Sequence, residues 1–257
     1  MAGGFVIKLG GSAITDKSKP YTVRLSILHG IAAEMAEAIA RGAEVKGVVV
    51  GGGSFGHYVA TAYSEEKSPA GEALSSITAS MTELALAVHD VLQSHGINTI
   101  IYPPHAFCRP RDLKPNCAWH MVSASIELNA IPLVYGDAYP CRGQWCIVSG
   151  DELSLEMACS LGAEYVAYLS DVDGILDPRG NLVTSIELGK LGSLKGDSIE
   201  GGKGYDVTGG INRKLRVIQA NWCSRLKGIW IINGTRLDGR LVRLLVEHRA
   251  RGTLIAP

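Results

Sequence analysis

Three glycine clusters constrain this chain more than any other feature of its sequence, because each lies at a predicted junction with a helix or loop. The clusters are Lys8–Ser12, Gly51–His57 and Gly201–Gly210. Glycine lets the backbone approach an anion closely, and a helix start offers unpaired N–H groups and the positive end of a dipole. One such cluster could be a simple turn. Three of them, accompanied by lysines, predict a polyphosphate site and a phosphoryl-transfer enzyme.

Short apolar runs alternate with longer amphipathic stretches along almost the whole chain. Continuously apolar strands separated by helices are typical of a mainly parallel sheet covered on both faces. We therefore predict an α/β fold, a three-layer αβα sandwich with a mainly parallel central sheet, formed by residues 1–257 as a single domain. The predicted strands are Phe5–Leu9, Val45–Val50, Ile97–Tyr102, Ile131–Tyr135, Tyr165–Ser170 and Gly228–Ile232. The predicted helices are Arg24–Arg41, Glu72–His95, Met121–Asn129, Asp151–Leu161, Gly210–Cys223 and Leu237–Glu247.

Two stretches interrupt this alternation. Between Pro140 and Val148 the pattern predicts a small hairpin that turns at Arg142 and Gly143. The segment Pro103–Pro115 is rich in proline and cysteine, and we predict an irregular surface loop there.

The charge balance argues against nucleic-acid binding. The chain has 25 basic and 25 acidic residues and therefore no formal net charge, whereas nucleic-acid binding usually leaves a basic footprint. No apolar stretch is long enough to span a membrane, and the N-terminus lacks a basic region followed by an apolar run. We expect neither a nucleic-acid nor a membrane partner, and a cytoplasmic location.

The cysteine pattern predicts free thiols. The six cysteines form no CxxC pair and no Cys/His spacing typical of zinc. A chain of 257 residues can bury a substantial core without disulfides. We therefore expect reduced cysteines at positions Cys108, Cys117, Cys141, Cys146, Cys159 and Cys223.

The second glycine cluster also fits two widespread motifs with other functions. Gly51–Gly56 has the spacing of a dinucleotide fingerprint, but the next predicted strand runs into Tyr102 without an acidic residue to hold a ribose. Ser54, which lies between glycines, fits a hydrolase nucleophile elbow. However, only two predicted strands precede it. The hydrolase triad also needs a late histidine, and the sole histidine after position 120, His248, lies in a predicted helix region with charged neighbours. A plain glycine-rich turn leaves the histidine that closes the cluster, His57, unexplained.

Taken together, the motifs resemble the amino acid kinase superfamily, and within it the isopentenyl phosphate kinase family most closely. They run in the order of the family and span residues 7–214, so the resemblance covers most of the chain. The motifs are Ile7–Ser12 with Thr15–Lys17, Gly51–His57, Tyr135–Asp137, Val148–Asp151, Leu169–Gly174, and Asp206–Gly210 with Lys214.

The resemblance implies an ATP-dependent kinase that converts isopentenyl phosphate to isopentenyl diphosphate in an alternative mevalonate route of isoprenoid biosynthesis. About residues 1–150 would bind the acceptor and about residues 151–257 the nucleotide. A homodimer is also expected from the family.

The resemblance further implies which lysines act on the phosphates. A nucleotide kinase without a Walker A motif must find cations elsewhere, and this chain has no such motif. Lys8 would bridge the donor and acceptor phosphates, Lys17 would contact phosphate, and Lys214 would hold the nucleotide phosphates. ATP is the expected donor, with Mg²⁺ neutralising its β- and γ-phosphate oxygens and without a dedicated metal cage of side chains.

His57 discriminates between acceptors in this interpretation. By resemblance, members that phosphorylate a carboxylate lack a histidine here, whereas members whose acceptor is a phosphate or phosphonate carry one. An imidazole can donate to a phosphate oxygen and, when protonated, neutralise its charge. The N–H groups of Gly52 and Gly150 would complete the acceptor site. A fosfomycin-type phosphonate kinase, an acylphosphate-forming amino acid kinase and a non-catalytic nucleotide-sensing module on the same fold stay open as alternatives.

The remaining candidates follow from the same family pattern. Asp151 would organise the lysines or cap its helix, and the role of Asp137 is equally open. The helix Glu72–His95 would form one wall of an apolar pocket for the five-carbon tail, or it would only pack against the sheet. The wall residues are Ile77, Ala79, Met81 and Leu84. The nucleotide-binding candidates are Lys8, Gly10, Gly11, Ser12, Gly53, Asp171, Gly174, Gly210 and Lys214.

Overall fold

The computed structural model describes residues 3–65, 69–111, 114–177, 179–192 and 209–257. Its strands are β1 (Phe5–Leu9), β2 (Val45–Val50), β3 (Thr99–Ile101), β4 (Cys108–Arg111), β5 (Lys114–Cys117), β6 (Ile131–Tyr135), β7 (Asp137–Cys141), β8 (Gln144–Val148), β9 (Tyr165–Ser170), β10 (Ile175–Leu176), β11 (Leu182–Val183), β12 (Ser185–Glu187), β13 (Gly228–Asn233) and β14 (Gly252–Ala256). Its α-helices are α1 (Gly11–Ile14), α2 (Leu25–Ala40), α3 (Gly53–Glu65), α4 (Ala70–Ser94), α5 (Pro104–Phe107), α6 (Trp119–Glu127), α7 (Gly150–Leu161), α8 (Gly209–Asn221) and α9 (Arg240–Glu247).

Eight of the strands form one sheet in the order β12-β14-β13-β9-β1-β2-β6-β3. Neighbouring strands are parallel except β13 and β14, which are antiparallel, so β14 and its parallel neighbour β12 run against the rest. The predicted α/β fold with a mainly parallel central sheet is therefore confirmed.

Helices cover both faces of this sheet, each over its own apolar core. Helices α2, α4 and α9 bury residues such as Leu28, Leu84 and Leu244 on one face. Helices α6, α7 and α8 bury residues such as Val122 and Leu215 on the other. None of the helices in the described ranges combines the length and the apolarity needed to cross a membrane.

The alternation of side chains along β1 fixes the direction of Lys8. Successive side chains of a strand point to opposite faces. Phe5, Ile7 and Leu9 pack into the core under α2 and α4, whereas Val6 packs into the core under α7 and α8. Lys8 shares the face of Val6, so its ammonium group points toward α7 and α8.

Several local predictions differ from the structure. The segment predicted as an irregular loop contains α5 and the antiparallel pair β4 and β5. Most of the second glycine cluster, with its closing histidine, lies in α3, a helix that is absent from the predicted set. The C-terminal strand β14 was not predicted at all, because its residues lie between a helix and the chain end without a clear apolar run.

The predicted hairpin is confirmed. It consists of β7 and β8, which pair antiparallel. The turn residues Arg142 and Gly143 have φ values of 47° and 77°, the left-handed pair that two-residue hairpin turns require. The third glycine cluster lies mostly outside the described residues, since residues 193–208, including Asp206, are not among them.

The expectation of reduced cysteines is wrong: the six cysteines form three disulfides. Cys108 pairs with Cys117 between β4 and β5. Cys141 pairs with Cys146 across the β7–β8 hairpin. Cys159 near the end of α7 pairs with Cys223 just after α8. The disulfides form because the two β-hairpins and the contact between α7 and α8 bring the paired thiols together. The spacing of the cysteines in the sequence does not indicate these contacts.

Candidate active site

A cavity of about 570 Å³ opens where β1, β2, β6 and β9 end. The residues that follow these strands line it, namely Gly10 after β1, Gly51 after β2, Gly136 after β6 and Asp171 after β9. Ligands of open α/β sheets bind at this carboxyl edge of the strands. The cavity is therefore the candidate active site.

Two glycine clusters meet backbone to backbone in the cavity wall. A Cβ atom on Gly11 would overlap the backbone of Gly53. The two clusters can therefore come this close only because residue 11 is glycine. Gly53 also has φ of 50°, a left-handed conformation that favours glycine. The N–H group of the next residue, Ser54, donates to the hydroxyl of Thr15 at 2.9 Å. This contact locks the two phosphate-binding candidates together.

The charged centre of the cavity is an aspartate between two lysines. Oδ1 of Asp151 accepts a hydrogen bond from Nζ of Lys214 at 2.8 Å and another from Nζ of Lys8. Both lysines are 8% exposed. Burial disfavours ionisation of Asp151, but the two ammonium groups outweigh burial and hold the pKa of Asp151 well below its usual range.

The lysine pair carries one positive charge more than the aspartate can neutralise. Burial and the neighbouring Lys8 ammonium lower the pKa of Lys214 to about 8, although Asp151 opposes the shift. An anionic ligand would relieve this repulsion. The arrangement is therefore suited to a phosphate that comes between the two ammonium groups.

The start of α7 positions Asp151. Ser149 caps the helix by accepting a hydrogen bond from the N–H of Glu152 at 3.2 Å, and the Glu152 carboxylate accepts one from the Ser149 N–H in return. This capping box fixes the first turn and leaves the positive end of the helix dipole at the cavity. Gly150 in this turn lines the cavity as predicted. Of the two predicted roles of Asp151, the contact with the lysines is present, whereas the prediction that it caps the helix is wrong, because Ser149 is the N-cap and Asp151 lies two residues further on.

His57 lies on α3 and lines the same cavity as the lysine pair. Its ring is exposed to the cavity, yet partial desolvation in the concave wall, together with Arg213, Lys17 and Lys8, lowers the pKa of His57. The free imidazole is therefore held mainly neutral at neutral pH. A bound phosphate would offset these cations and favour the protonated ring.

A serine and an aspartate mark another part of the wall. Burial acts to raise the pKa of Asp171, but a hydrogen bond with Ser12 and the charge of Lys17 outweigh it, so the pKa of Asp171 is lowered. Lys17 is exposed and lines the cavity. Ser12 and Lys17, which follow β1, therefore lie close to Asp171, which follows β9.

An apolar surface adjoins His57. It is formed by Ala60 from α3, Ile77 and Met81 from α4, and Ile147 from β8. Of the predicted wall, Ile77 and Met81 are in place. The other two are not, since Ala79 is exposed on another side of α4 and Leu84 lies in the core behind it.

The structure brings most of the predicted site residues to this one cavity. Those that line it are Lys8, Gly10, Gly11, Ser12, Lys17, Gly52, Gly53, His57, Gly150, Asp171 and Lys214. Gly174 is not among the lining residues; it is buried, and a Cβ there would approach the Thr253 hydroxyl at 2.5 Å. Gly210 lies in the first turn of α8, next to Ile211, which lines the cavity.

Arg213 was missed from the sequence, and the candidate Asp137 has a partner other than the lysines. Arg213 lines the cavity beside Lys214, and its only sequence signal was its position next to a predicted phosphate ligand. Asp137 lines the cavity, but its buried carboxylate accepts a hydrogen bond from Nδ1 of His105 at 2.7 Å rather than from a lysine. This bond raises the pKa of His105. Asp137 thus anchors α5 to β7.

The comparisons with known proteins agree with this geometry. Residues 4–219 match the amino acid kinase family, and the chain belongs to that family. Within it, the chain is similar to isopentenyl phosphate kinases. It is 35% identical to that of Haloferax volcanii over 84% of this chain and 87% of the relative.

Two further relatives extend over nearly the whole chain. The isopentenyl phosphate kinase of Methanocaldococcus jannaschii is 28% identical, over 94% of this chain and 95% of the relative. The crystal structure of the T. acidophilum isopentenyl phosphate kinase product complex matches with a TM-score of 0.77 and 26% identity, over 98% of this chain and 99% of that one. The resemblance predicted from the motifs is confirmed.

Proposed function

We propose that this protein transfers the γ-phosphoryl group of ATP to isopentenyl phosphate, giving isopentenyl diphosphate and ADP. The observation that carries the proposal is the buried Lys8–Asp151–Lys214 cluster, which lines one cavity together with His57. The similarity to isopentenyl phosphate kinases over most of the chain supports the choice of acceptor.

The chemistry requires cations rather than a base. An oxygen of the acceptor phosphate forms a bond to the γ-phosphorus, the bond from that phosphorus to the β,γ-bridging oxygen breaks, and ADP leaves with the electron pair. A phosphate monoester is already ionised at neutral pH, so no side chain has to remove a proton. Lys8 and Lys214 stabilise the charge on the transferring oxygens, which is the main contribution that a kinase makes.

The acceptor phosphate lies between His57 and the first turn of α7. The N–H groups of Gly52 and Gly150 donate to its oxygens, and the imidazole supplies a further donor. The apolar surface formed by Ile77 and Met81 receives the five-carbon tail, because that surface adjoins His57. This part of the site derives mainly from residues 1–150.

The nucleotide lies toward the side of the cavity formed by residues 151–257. Gly10, Gly11, Ser12 and Gly53 contact its phosphates from the opposite wall, with Lys17. Asp171, just after β9, and Gly210, at the start of α8, contact the nucleotide from the other side. Gly174 acts only through the backbone turn after β9, since it does not line the cavity.

Mg²⁺ enters with ATP in this proposal. No group of three or more His, Cys, Asp or Glu side chains in the described ranges could hold a metal ion, so phosphate oxygens and water supply most ligands. The exposed Asp171 carboxylate at the cavity fits the waters of a hydrated ion. The ion would neutralise the β- and γ-phosphate oxygens.

A substrate panel tests the proposal. Purified protein with ATP and Mg²⁺ is offered isopentenyl phosphate, dimethylallyl phosphate, fosfomycin and acetylglutamate, and products are identified by ³¹P NMR. We expect the largest kcat/KM with isopentenyl phosphate. Faster turnover of fosfomycin would favour a phosphonate kinase, and turnover of acetylglutamate would favour an acylphosphate-forming enzyme. ATP binding without turnover of any acceptor would favour a nucleotide-sensing module.

The homodimer and the cytoplasmic location remain predictions. Light scattering after size exclusion measures the oligomeric state directly. The three disulfides bear on the compartment, because such bonds persist mainly in oxidising surroundings and in intracellular proteins of hyperthermophiles.

A further inference from the structure

Tyr168 lies beneath both buried lysines on the sheet side of the cavity. It belongs to β9 and lies opposite Lys8 in the parallel register with β1. Its ring centroid is 4.3 Å from Nζ of Lys214 and 5.6 Å from Nζ of Lys8. A cation within about 6 Å of an aromatic face is attracted by the negative charge of that face. One ring therefore contacts both ammonium groups.

The hydroxyl of the same residue holds the backbone that carries Asp151. It donates to the Asp151 carbonyl oxygen at 3.2 Å and lies 3.0 Å from Oγ of Ser154. Tyr168 is only 1% exposed, so its hydroxyl depends on these partners. The side chain thus links the strand to the first turn of α7.

These contacts exceed what packing alone requires. A leucine or a phenylalanine would fill a buried strand position in the same core. Only an aromatic ring offers a charge-stabilising face to the lysines, and only a phenol adds the hydrogen bond to Asp151. Tyr168 is therefore a fourth member of the cluster formed by Lys8, Asp151 and Lys214.

We propose that Tyr168 is a positioning residue that holds the ammonium groups of Lys8 and Lys214 near the face of its ring and fixes their distance from Asp151 before substrates bind. This inference rests on the proposed kinase function, in which both ammonium groups act on phosphate. Tyr168 touches neither substrate. It acts through the lysines and through the helix that carries the aspartate.

The charges around Lys214 make the effect of the ring measurable. Lys8 from β1 repels the ammonium group, Asp151 from α7 attracts it, and the Tyr168 ring from β9 attracts it as well. Arg213 and His57 also line the cavity and contribute to the charge around it. Loss of the ring removes an attraction, so Lys214 should lose its proton at a lower pH.

The test follows the lysine ¹³Cε signals of labelled protein against pH, without substrates, with Lys214→Arg to assign the signal. Tyr168→Leu should lower the midpoint of Lys214 by about 0.5 to 1 pH unit. Tyr168→Phe keeps the ring and should leave the midpoint in place. The phenylalanine variant should still lower kcat severalfold with little change in ATP affinity, because it loses the bond to Asp151.

Tyr135 on β6 provides the matched control. It is also fully buried, and its hydroxyl bonds to Thr82 at 2.9 Å rather than to the α7 turn. Tyr135→Leu should cost stability without moving the Lys214 midpoint. An unchanged midpoint in Tyr168→Leu, or an equal shift in Tyr135→Leu, would overturn the inference.

Two features keep the test decisive. If the leucine variant does not fold, Tyr168→Met offers a longer and more flexible side chain that fills irregular gaps, and it should give the same shift. Because the titration needs neither ATP nor an acceptor, it reports on Tyr168 even if the substrate panel excludes isopentenyl phosphate. Conversely, a failed titration leaves the result of the panel intact.

Discussion

Asp151 and Lys214 lie 63 positions apart in the chain, yet Oδ1 of the aspartate accepts a hydrogen bond from Nζ of the lysine at 2.8 Å. The pair joins the start of α7 to α8, and Lys8 from β1 binds the same oxygen. The carboxylate of Asp151 therefore fixes the positions of both ammonium groups. Loss of that carboxylate should affect the cations more than any other change in the cavity.

Replacing Asp151 by asparagine should separate the two lysines. Asp151→Asn leaves them without a counter-charge in a buried site, and breaking a buried ion pair typically costs about 3–5 kcal/mol. We expect a fall in kcat of about 10²-fold and a lower free energy of unfolding in urea. Asp90→Asn on the exposed side of α4 is the control and should change neither. Full activity of the Asp151 variant would refute its organising role.

The alkaline limb of the pH profile should report Lys214. Its pKa of about 8 in the free protein means that the charged form is lost as the pH rises through this value. The kcat/KM for ATP should therefore fall above about pH 8. Lys214→Arg carries a guanidinium that stays charged, so this limb should disappear even if the variant is slower. An unchanged midpoint in the arginine variant would assign the limb to another group.

His57 should take up a proton when the acceptor binds. Its pKa is lowered in the free cavity by partial desolvation and by Arg213, Lys17 and Lys8, and a bound phosphate dianion reverses the effect of these cations. Calorimetry near pH 7 in buffers of different ionisation enthalpy should therefore show net proton uptake on binding of isopentenyl phosphate.

The matched variant for this measurement is His57→Asn, which retains a donor but cannot titrate. It should abolish the proton uptake and raise the KM of the acceptor, with the KM of ATP nearly constant. Equal uptake by the variant and the natural protein would place the proton elsewhere. An effect confined to ATP would contradict the acceptor role.

The parts of the fold and site that depend on local pattern were predictable. The apolar run Phe5–Ile7, followed by Lys8, Leu9 and two glycines, predicted both strand β1 and a turn at the edge of the site. The residues after β2 were predictable as part of the cavity wall, although α3 begins within them. A helix starting among three glycines has low intrinsic propensity, so the local sequence did not indicate it.

The parts that depend on tertiary contact were not predictable. Nothing near Cys159 indicates that α8 will bring Cys223 alongside it, and the role of Tyr168 exists only because β9 lies next to β1. Arg213 was overlooked for a similar reason. A basic residue on an amphipathic helix usually faces solvent, and only the packing of α8 against α7 turns it toward the cavity.

The disulfide between Cys159 and Cys223 should stabilise the protein more than the disulfide across the β7–β8 hairpin. The sequence separations are 64 and 5 residues, for which the loop-entropy model gives about 4 and about 2 kcal/mol. Urea unfolding of Cys159→Ser and Cys141→Ser should show this order. The reverse order would contradict it, and free thiols in the denatured, unreduced protein would contradict the pairing itself.

The most direct test of the central claim is a single-turnover measurement on Lys8→Ala, with enzyme in excess over labelled ATP and saturating isopentenyl phosphate. If the ammonium group acts on the transferring phosphoryl, the rate of the chemical step should fall by about 10²-fold or more, while the Kd of ATP changes only slightly. A chemical rate equal to that of the natural protein would contradict the account, as would a loss found entirely in ATP binding.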